Sequence, residues 1–532
     1  VIGSLSSNGP TEPIEVPTGH VVDVAGSRIT VAIDTTVAEE SLRVGSLVKV
    51  INGACEIAAS ITEVRAGSNA PAGRILIADL LGELVSSNAR VQFSRGVSIH
   101  PVPGEAVVAL TQEDLSAIYG EPSQASIRIG TLCQERERPA FVFTDELLGK
   151  HFAILGTTGS GKSCALALIL SAILKKHSNA HVVLLDPHNE YAGAFGALAD
   201  VISVDNLQLP LWLLNFEEVS RVLVRGGSET EQGSQALILK DAITTARRNY
   251  ERYDPRGQAI TVDTPVPFRV HELLRYINDQ MGRLGKPDTS MPYLRLRARI
   301  ESLRSDRRFD FLFSSEEDNL ADIVGRLLRV PVKGKPLTIV DLSGVPSEIA
   351  DVIVSTLCRV LFDFSVWCDH ERMPPLLLAC EEAQRYVPAD ERLGFTQTIR
   401  IITQIAKEGR KYGISLGLIT QRPSELSLAA LSQCGTIFAM RMGSDGDQQF
   451  IARVLPDVAR DLLSALPSLP TQQAIVSGDG VRVPTRIRFD DLDPERRPRS
   501  DGAQFSEAWR TDVADREFVE RGIRRWRAQI RN

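Results

Sequence analysis

The stretch Gly156-Thr157-Thr158-Gly159-Ser160-Gly161-Lys162-Ser163 constrains this chain more than any other. It satisfies G-x-x-x-x-G-K-[ST] and stands between an apolar run of strand length, HFAIL, and a helical run, SCALALILSAIL. Glycines here let backbone N–H groups turn inward without a Cβ in the way, and the following helix aims its positive end at the same spot. The pattern therefore predicts a phosphate cradle at a strand-to-helix turn. Lys162 is placed to bridge the β- and γ-phosphates of ATP, and Ser163 to ligate Mg²⁺. The nucleotide-binding set is Gly156, Thr157, Thr158, Gly159, Ser160, Gly161, Lys162, Ser163 and Cys164. The bland alternative, a Gly-rich turn with no ligand, leaves the strand and helix flanks as coincidence.

From residue 151 onward, apolar runs (HFAILG, HVVLLD, LTIVDL, LLLACEE, ISLGLIT, TIFAMR) alternate with helical stretches. That alternation predicts an α/β domain with a buried parallel sheet. Between 216 and 330 the pattern is mostly helical and rich in Arg, which reads as a helical insertion. Ahead of the core, short runs with partial period-2 alternation and turn residues such as Asn52-Gly53 predict a small antiparallel β-barrel. The expected organisation is a flexible N-terminus at 1–14, a barrel at 15–110, a connector at 111–150, and the core at 151–215 and 331–470 around the insertion at 216–330. A C-terminal hairpin or brace with a basic tail follows at 471–532.

A phosphate cradle alone does not hydrolyse. The strand LLLAC ends in Glu381-Glu382. Glu381 stands where an acid holds Mg²⁺ through its water shell, and Glu382 beside it can polarise the attacking water as general base. A solvated acidic turn is the alternative. VVLLD ends at Asp186, followed by His188, Asn189 and Glu190; ISLGLIT ends at Thr420-Gln421, where Gln421 can sense γ-phosphate or water. Glu190 is a possible extra acid near the metal, and His188 has a minor role. Arg410, in the charged segment before ISLGLIT, and Arg422 are the two candidates for an arginine finger reaching a neighbouring subunit's nucleotide. The alternative for that segment is a solvated helix end.

The 60 basic and 67 acidic residues give a net charge of −7. Bulk charge therefore does not hold nucleic acid, and DNA binding needs a local patch or an enclosed channel. The run Arg295, Arg297, Arg299, Arg304, Arg307 and Arg308 is the candidate patch, against the reading of solvated helix faces or intersubunit salt bridges. Seven scattered cysteines fit a reducing compartment. No run reaches the ~18 apolar residues of a membrane helix, and the opening residues lack the order of a secretion signal, so a cytoplasmic protein without membrane contact is expected.

Together the strings HFAILGTTGSGKS, DPHNEY, LPLWLLNFEE, LTIVDLSGVPSE, LLLACEEAQRYVP and IAKEGRKYGISLGLITQRPSELS resemble the HerA family of hexameric DNA-translocating ATPases, within the FtsK/HerA superfamily. GHVVDVAGSRITVAI is similar to that family's N-terminal barrel, and the resemblance covers about residues 15–500. It implies a RecA-like core, a homohexameric ring with ATP sites between subunits, and double-stranded DNA through the pore. It assigns Lys162 and Ser163 to nucleotide and metal, Glu382 to the base, Gln421 to the sensor and Arg410 to the trans-acting arginine. The segment around 471–490 would be the family's brace, packed against a neighbour's nucleotide. Gln384 departs from the His often found there. The implied function is an ATP-dependent DNA translocase or helicase acting with a partner on the barrel face, either a NurA-like nuclease or a Sir2-like or DUF4297-like effector in antiphage defence. The alternative is a nucleotide-switched ring scaffold that activates the effector without moving DNA. A conjugation-type coupling ATPase is disfavoured by the lack of membrane helices.

Overall fold

Short alternating runs with small turns between them can bury one face only by curling on themselves, and the first seven strands do so. They are β1 (Gly19–Ala25), β2 (Arg28–Ile33), β3 (Leu47–Asn52), β4 (Cys55–Ala66), β5 (Arg74–Ser87), β6 (Arg90–Arg95) and β7 (Ala106–Ala109). The structure is a computed structural model that describes residues 17–33, 42–53, 55–66, 74–87, 90–135, 137–250, 260–283, 287–314, 317–369, 371–455, 461–499, 506, 509–510 and 515–528. The lead at 1–14 lies outside the described residues.

The strands pair antiparallel in the order β2-β1-β7-β3-β4-β5, and β5 returns to β2 to close a six-stranded barrel. The 14-residue β5 makes this possible. Its first half pairs with β2 (Ile33↔Arg74 to Arg28↔Asp79), and its second half pairs with β6 (Gly82↔Arg95 to Ser87↔Arg90). At the changeover stands Gly82, where a Cβ would lie 2.2 Å from the Ser94 carbonyl oxygen. Val21, Ile29, Val31, Val48, Val50, Ile57, Ile61, Leu76 and Val107 fill the barrel. A helix at Gln112–Tyr119, capped reciprocally by Thr111 and Asp114, is tied to β3 by a buried pair, Lys49 Nζ to Asp114 at 3.1 Å. The stretch read as a connector also holds the antiparallel pair β8 (Ser126–Leu132) and β9 (Pro139–Phe143).

The chain separates into two compact units, Val1–Leu147 with Gly435–Asp490, and Leu148–Cys434 with Asp491–Asn532. The second unit contains β10 (Phe152–Leu155), β11 (His181–Asp186), β12 (Ala199–Ile202), β13 (Leu337–Asp341), β14 (Leu376–Cys380) and β15 (Ile414–Thr420). They lie side by side in the order β12-β13-β11-β14-β15-β10, all parallel. Every residue of β10, β13, β14 and β15 is buried, so both faces of the sheet are covered, as continuous apolar strands require. The fold is the expected α/β P-loop core of RecA-like type with a small barrel and a helical insertion. Within the insertion, helices Glu229–Tyr250, Val270–Gly282 and Pro287–Ser305 pack on one another.

Returning to the first unit, β16 (Thr436–Met440), β17 (Gln473–Gly478) and β18 (Thr485–Phe489) form an antiparallel set, and β18 pairs with β8. TIFAMR was grouped with the parallel runs. As β16 it runs antiparallel to β17. A fully buried strand looks the same from its apolar run whichever way its neighbour points. No helix among the described residues is long and apolar enough to cross a membrane.

Candidate nucleotide site

Six parallel strands bring six carboxyl ends to one edge, where side chains from distant parts of the chain meet. Register decides which ones. Leu155 lies opposite Thr420, so the P-loop leaves β10 beside Gln421, and Gly156 N donates to the Thr420 carbonyl at 3.3 Å. Leu185 lies opposite Cys380, so Asp186 and the turn after it adjoin Glu381-Glu382.

Gly159 and Gly161 take φ of 74° and 103°, and the helix begins at Lys162. The Lys162 ammonium is buried and donates to the Thr157 carbonyl at 3.0 Å, folding back into the loop it serves. Burial pushes this lysine below its ordinary range, while Glu381, Glu382 and Glu190 pull it up. Ser160 Oγ is buried with no hydrogen-bond partner among the described residues. Cys164 follows within the first turn of the helix.

Asp186, wholly buried, shapes the next turn by accepting from His188 N at 3.2 Å and Tyr191 N at 3.0 Å. This turns Glu190 and Tyr191 toward Ser163, and both hydrogen-bond with it. Tyr191 also donates its hydroxyl to Glu381 Oε2 at 2.8 Å. Burial, aided by Glu382 and Glu190, pushes the Glu381 carboxyl up to about 8; the Tyr191 bond and Lys162 oppose it. Three carboxylates thus face one lysine in a nearly dry site. The donors around this excess negative charge are all oxygen, which suits a hard divalent cation such as Mg²⁺. Ser163 would bind it directly and Glu381 through water.

Glu382 is buried and left-handed at φ 54°, ψ 47°, a conformation that swings its side chain off the strand axis. Both of its oxygens are held: Gln421 Nε2 donates to Oε1, and Gln384 Nε2 donates to Oε2 at 2.7 Å. Thr158 Oγ1 donates to Gln421 Oε1, and Thr420 Oγ1 donates to Gln384 Oε1 at 2.6 Å. His188 Nε2 stands 4.0 Å from Glu382 Oε1.

The structure brings together Gly156–Cys164, Glu190, Glu381, Glu382 and Gln421. It places Arg410 elsewhere. That residue is exposed on the turn Gly409–Tyr412 that leads into β15, whereas Gln421 follows β15, so the two lie at opposite ends of a seven-residue strand. At ~3.3 Å per residue this separates them by roughly 20 Å. Arg422 is near the site, but it is exposed and pairs with Glu425 at 2.8 Å. In the basic run, Arg295 pairs with Glu231 (3.7 Å), Arg297 with Glu301 (3.0 Å), Arg299 with Glu348 (3.7 Å) and Arg308 with Asp306. These four are paired within the chain, not across subunits.

Three residues were not foreseen. Tyr191 sits in DPHNEY, where only the acid and the histidine drew notice. His151 is buried ahead of β10; its Nδ1 accepts from Leu416 N at 2.9 Å, so its Nε2 donates to the Ala406 carbonyl at 3.0 Å. Arg499 donates its amide to the Glu190 carbonyl at 2.9 Å, and nothing in the Pro/Arg-rich tail signals this.

Comparison with known proteins follows the same lines. The family model described as the central domain of helicase HerA matches residues 127–361. The DNA double-strand break repair helicase HerA of Pyrococcus furiosus is 25% identical over 418 residues, 73% of each chain. Its namesake from Sulfolobus acidocaldarius is 24% identical over 431 residues, 80% of each chain. Among solved structures, VirB4 of Thermoanaerobacter pseudethanolicus aligns at a TM-score of 0.48 and 17% identity, covering 70% of this chain and 99% of that one. A central-domain match that takes in the P-loop, and relatives of one name extending over most of the sequence, agree with the acid pair set against that loop: the chain is a P-loop ATPase similar over most of its length to HerA helicases.

Proposed function

We propose that this protein is an ATP-dependent DNA translocase or helicase of HerA type. It hydrolyses Mg²⁺-ATP at the subunit interfaces of a homohexamer and passes duplex DNA through the pore. The observation that carries this reading is the convergence of Lys162, Ser163, Glu381, Glu382 and Gln421 at the carboxyl ends of β10, β14 and β15. Lys162 and the loop amides hold the phosphates, Glu382 accepts a proton from water, and Gln421 links the base to the P-loop through Thr158. Arg410, at the far side of β15 from its own subunit's site, would serve as a finger only from a second subunit. A NurA-like nuclease, or a Sir2-like or DUF4297-like defence effector, would dock on the barrel face, in the cytoplasm.

The nucleotide-switched scaffold uses the same site without moving DNA. One observation favours it: four arginines of the candidate DNA patch are paired within the chain. ATP hydrolysis with and without duplex DNA, on wild type and Glu382→Gln, together with the mass in solution, separates the readings. The translocase requires a hexamer, stimulation by DNA, and loss of turnover in the variant. A hexamer indifferent to DNA favours the scaffold. A wild type that hydrolyses no ATP overturns both.

A further inference from the structure

The carboxylate of Glu382 is gripped from two sides by amides, and each amide is in turn fixed by a threonine. An ionised carboxylate only accepts, so both glutamines must present Nε2 to it and Oε1 to their threonines. The donor directions then form two arms. One runs from Thr158 Oγ1 to Gln421 and on to Glu382 Oε1. The other runs from Arg422 N to Thr420 Oγ1 at 3.0 Å, on to Gln384 at 2.6 Å, and to Glu382 Oε2 at 2.7 Å. The first arm begins inside the phosphate cradle. The second is anchored in the backbone at the end of β15 and meets the P-loop through the Thr420 carbonyl, which accepts from Gly156 N.

We propose that Gln384 is a positioning residue for the general base, the fixed half of an amide clamp whose other half, Gln421, is released by nucleotide. The proposal rests on the ATPase reading above. Phosphate oxygens are pure acceptors. When they fill the cradle they draw on the Thr158 hydroxyl and the Gln421 amide, the two donors now used to hold Glu382 Oε1. That oxygen is then free to accept a proton from water, while Gln384 keeps Oε2 in place. Without nucleotide each oxygen already accepts from an amide, which lowers its basicity and holds the base in a less reactive state. The left-handed backbone at Glu382 makes the second anchor necessary, because a side chain swung off the strand axis has no strand neighbour to fix it.

The test uses the full chain with Mg²⁺-ATP and duplex DNA. Gln384→Met keeps the side-chain length and removes the donor. Its kcat is expected to fall about 10- to 100-fold, the scale of a base misplaced by ~1 Å. Its affinity for a fluorescent ATP analogue is expected to stay within about threefold of wild type. Gln384→His, which offers an imidazole N–H, restores most of kcat. Combined with Thr158→Val, the loss is less than the product of the single losses, because both act on one carboxylate. If Gln384→Met does not fold, Gln384→Glu removes the same donor in an isosteric side chain. Wild-type kcat in Gln384→Met (or in Gln384→Glu where it takes over), equal losses in affinity and kcat, or strict additivity with Thr158→Val overturns the clamp while leaving the ATPase reading intact. A wild type without turnover overturns that reading itself.

Discussion

Tyr191 donates its hydroxyl to Glu381 Oε2 across 2.8 Å in a site where both side chains are almost wholly buried. It also bonds Ser163, so one phenol sets the orientation of both groups that would meet the metal. Outer-shell partners of this kind are typically worth ~10- to 100-fold in metal affinity. Tyr191→Phe should therefore raise the Mg²⁺ concentration needed for half-maximal ATP hydrolysis by about tenfold, with little change at saturating Mg²⁺. An unchanged Mg²⁺ titration would show that the phenol only fills space.

Glu381 makes the nucleotide-free protein sensitive to pH. Its folded pKa of about 8 lies above the ordinary carboxylate range, with burial the main cause. A raised carboxylate pKa means that the folded state binds its proton more tightly than the unfolded state, so stability falls as pH rises from the ordinary value toward 8. Glu381→Gln removes that penalty. Its melting temperature without nucleotide should match wild type near pH 5 and exceed it increasingly up to pH 8, by an energy on the order of 1–3 kcal/mol. A gap that does not grow with pH contradicts the assignment.

Lys162 is the counter-charge for three carboxylates as well as the proposed phosphate ligand. Lys162→Met should weaken ATP binding by at least about tenfold, a loss of ~1.4 kcal/mol. It should also lower the apo melting temperature, because the acids lose the cation that faces them from the loop. Calorimetry of binding and of melting reads the two effects separately.

Arg410 and Arg422 are separable by their positions. If Arg410 acts in trans, Arg410→Ala lowers kcat by about a thousandfold or more without weakening nucleotide binding. Mixing it with Lys162→Met then restores some activity through hybrid interfaces. Arg422→Ala, which breaks an exposed pair with Glu425, is expected to change kcat less than tenfold. Absence of complementation in the mixture would remove Arg410 from the finger role.

Glu218 and Arg359 form a buried pair at 2.9 Å, and Glu218 also caps the helix Phe216–Leu223 and accepts from Ser355 at 2.9 Å. Arg359→Met leaves an uncompensated buried carboxylate and should cost ~3–5 kcal/mol in denaturant unfolding, part of which Glu218→Gln recovers. A loss below ~1 kcal/mol would mean that water reaches the pair.

The parts of the site legible in the sequence are local. The P-loop is one strand, one turn and one helix in succession, and Glu381-Glu382 ends a strand, so chemistry and spacing sit in a single stretch of text. Tyr191 and Glu381 are 190 residues apart, and only the pairing of β11 with β14 joins them. Gln384 depends on a positive φ at Glu382 that no propensity signals. β12 went unread because four residues including Asp200 carry too little periodicity.

The return of β5 to β2 has a consequence for whatever touches the N-terminal barrel. Among the described residues the six strands of the ring each have a neighbour on both sides, so another polypeptide finds no row of idle amides and carbonyls there; β6, which lies outside the ring and pairs with β5, is the strand that keeps an edge. Companions are confined to side chains and loops on those six strands, where recognition is set by shape and charge. A short peptide copying one barrel strand should not compete with them.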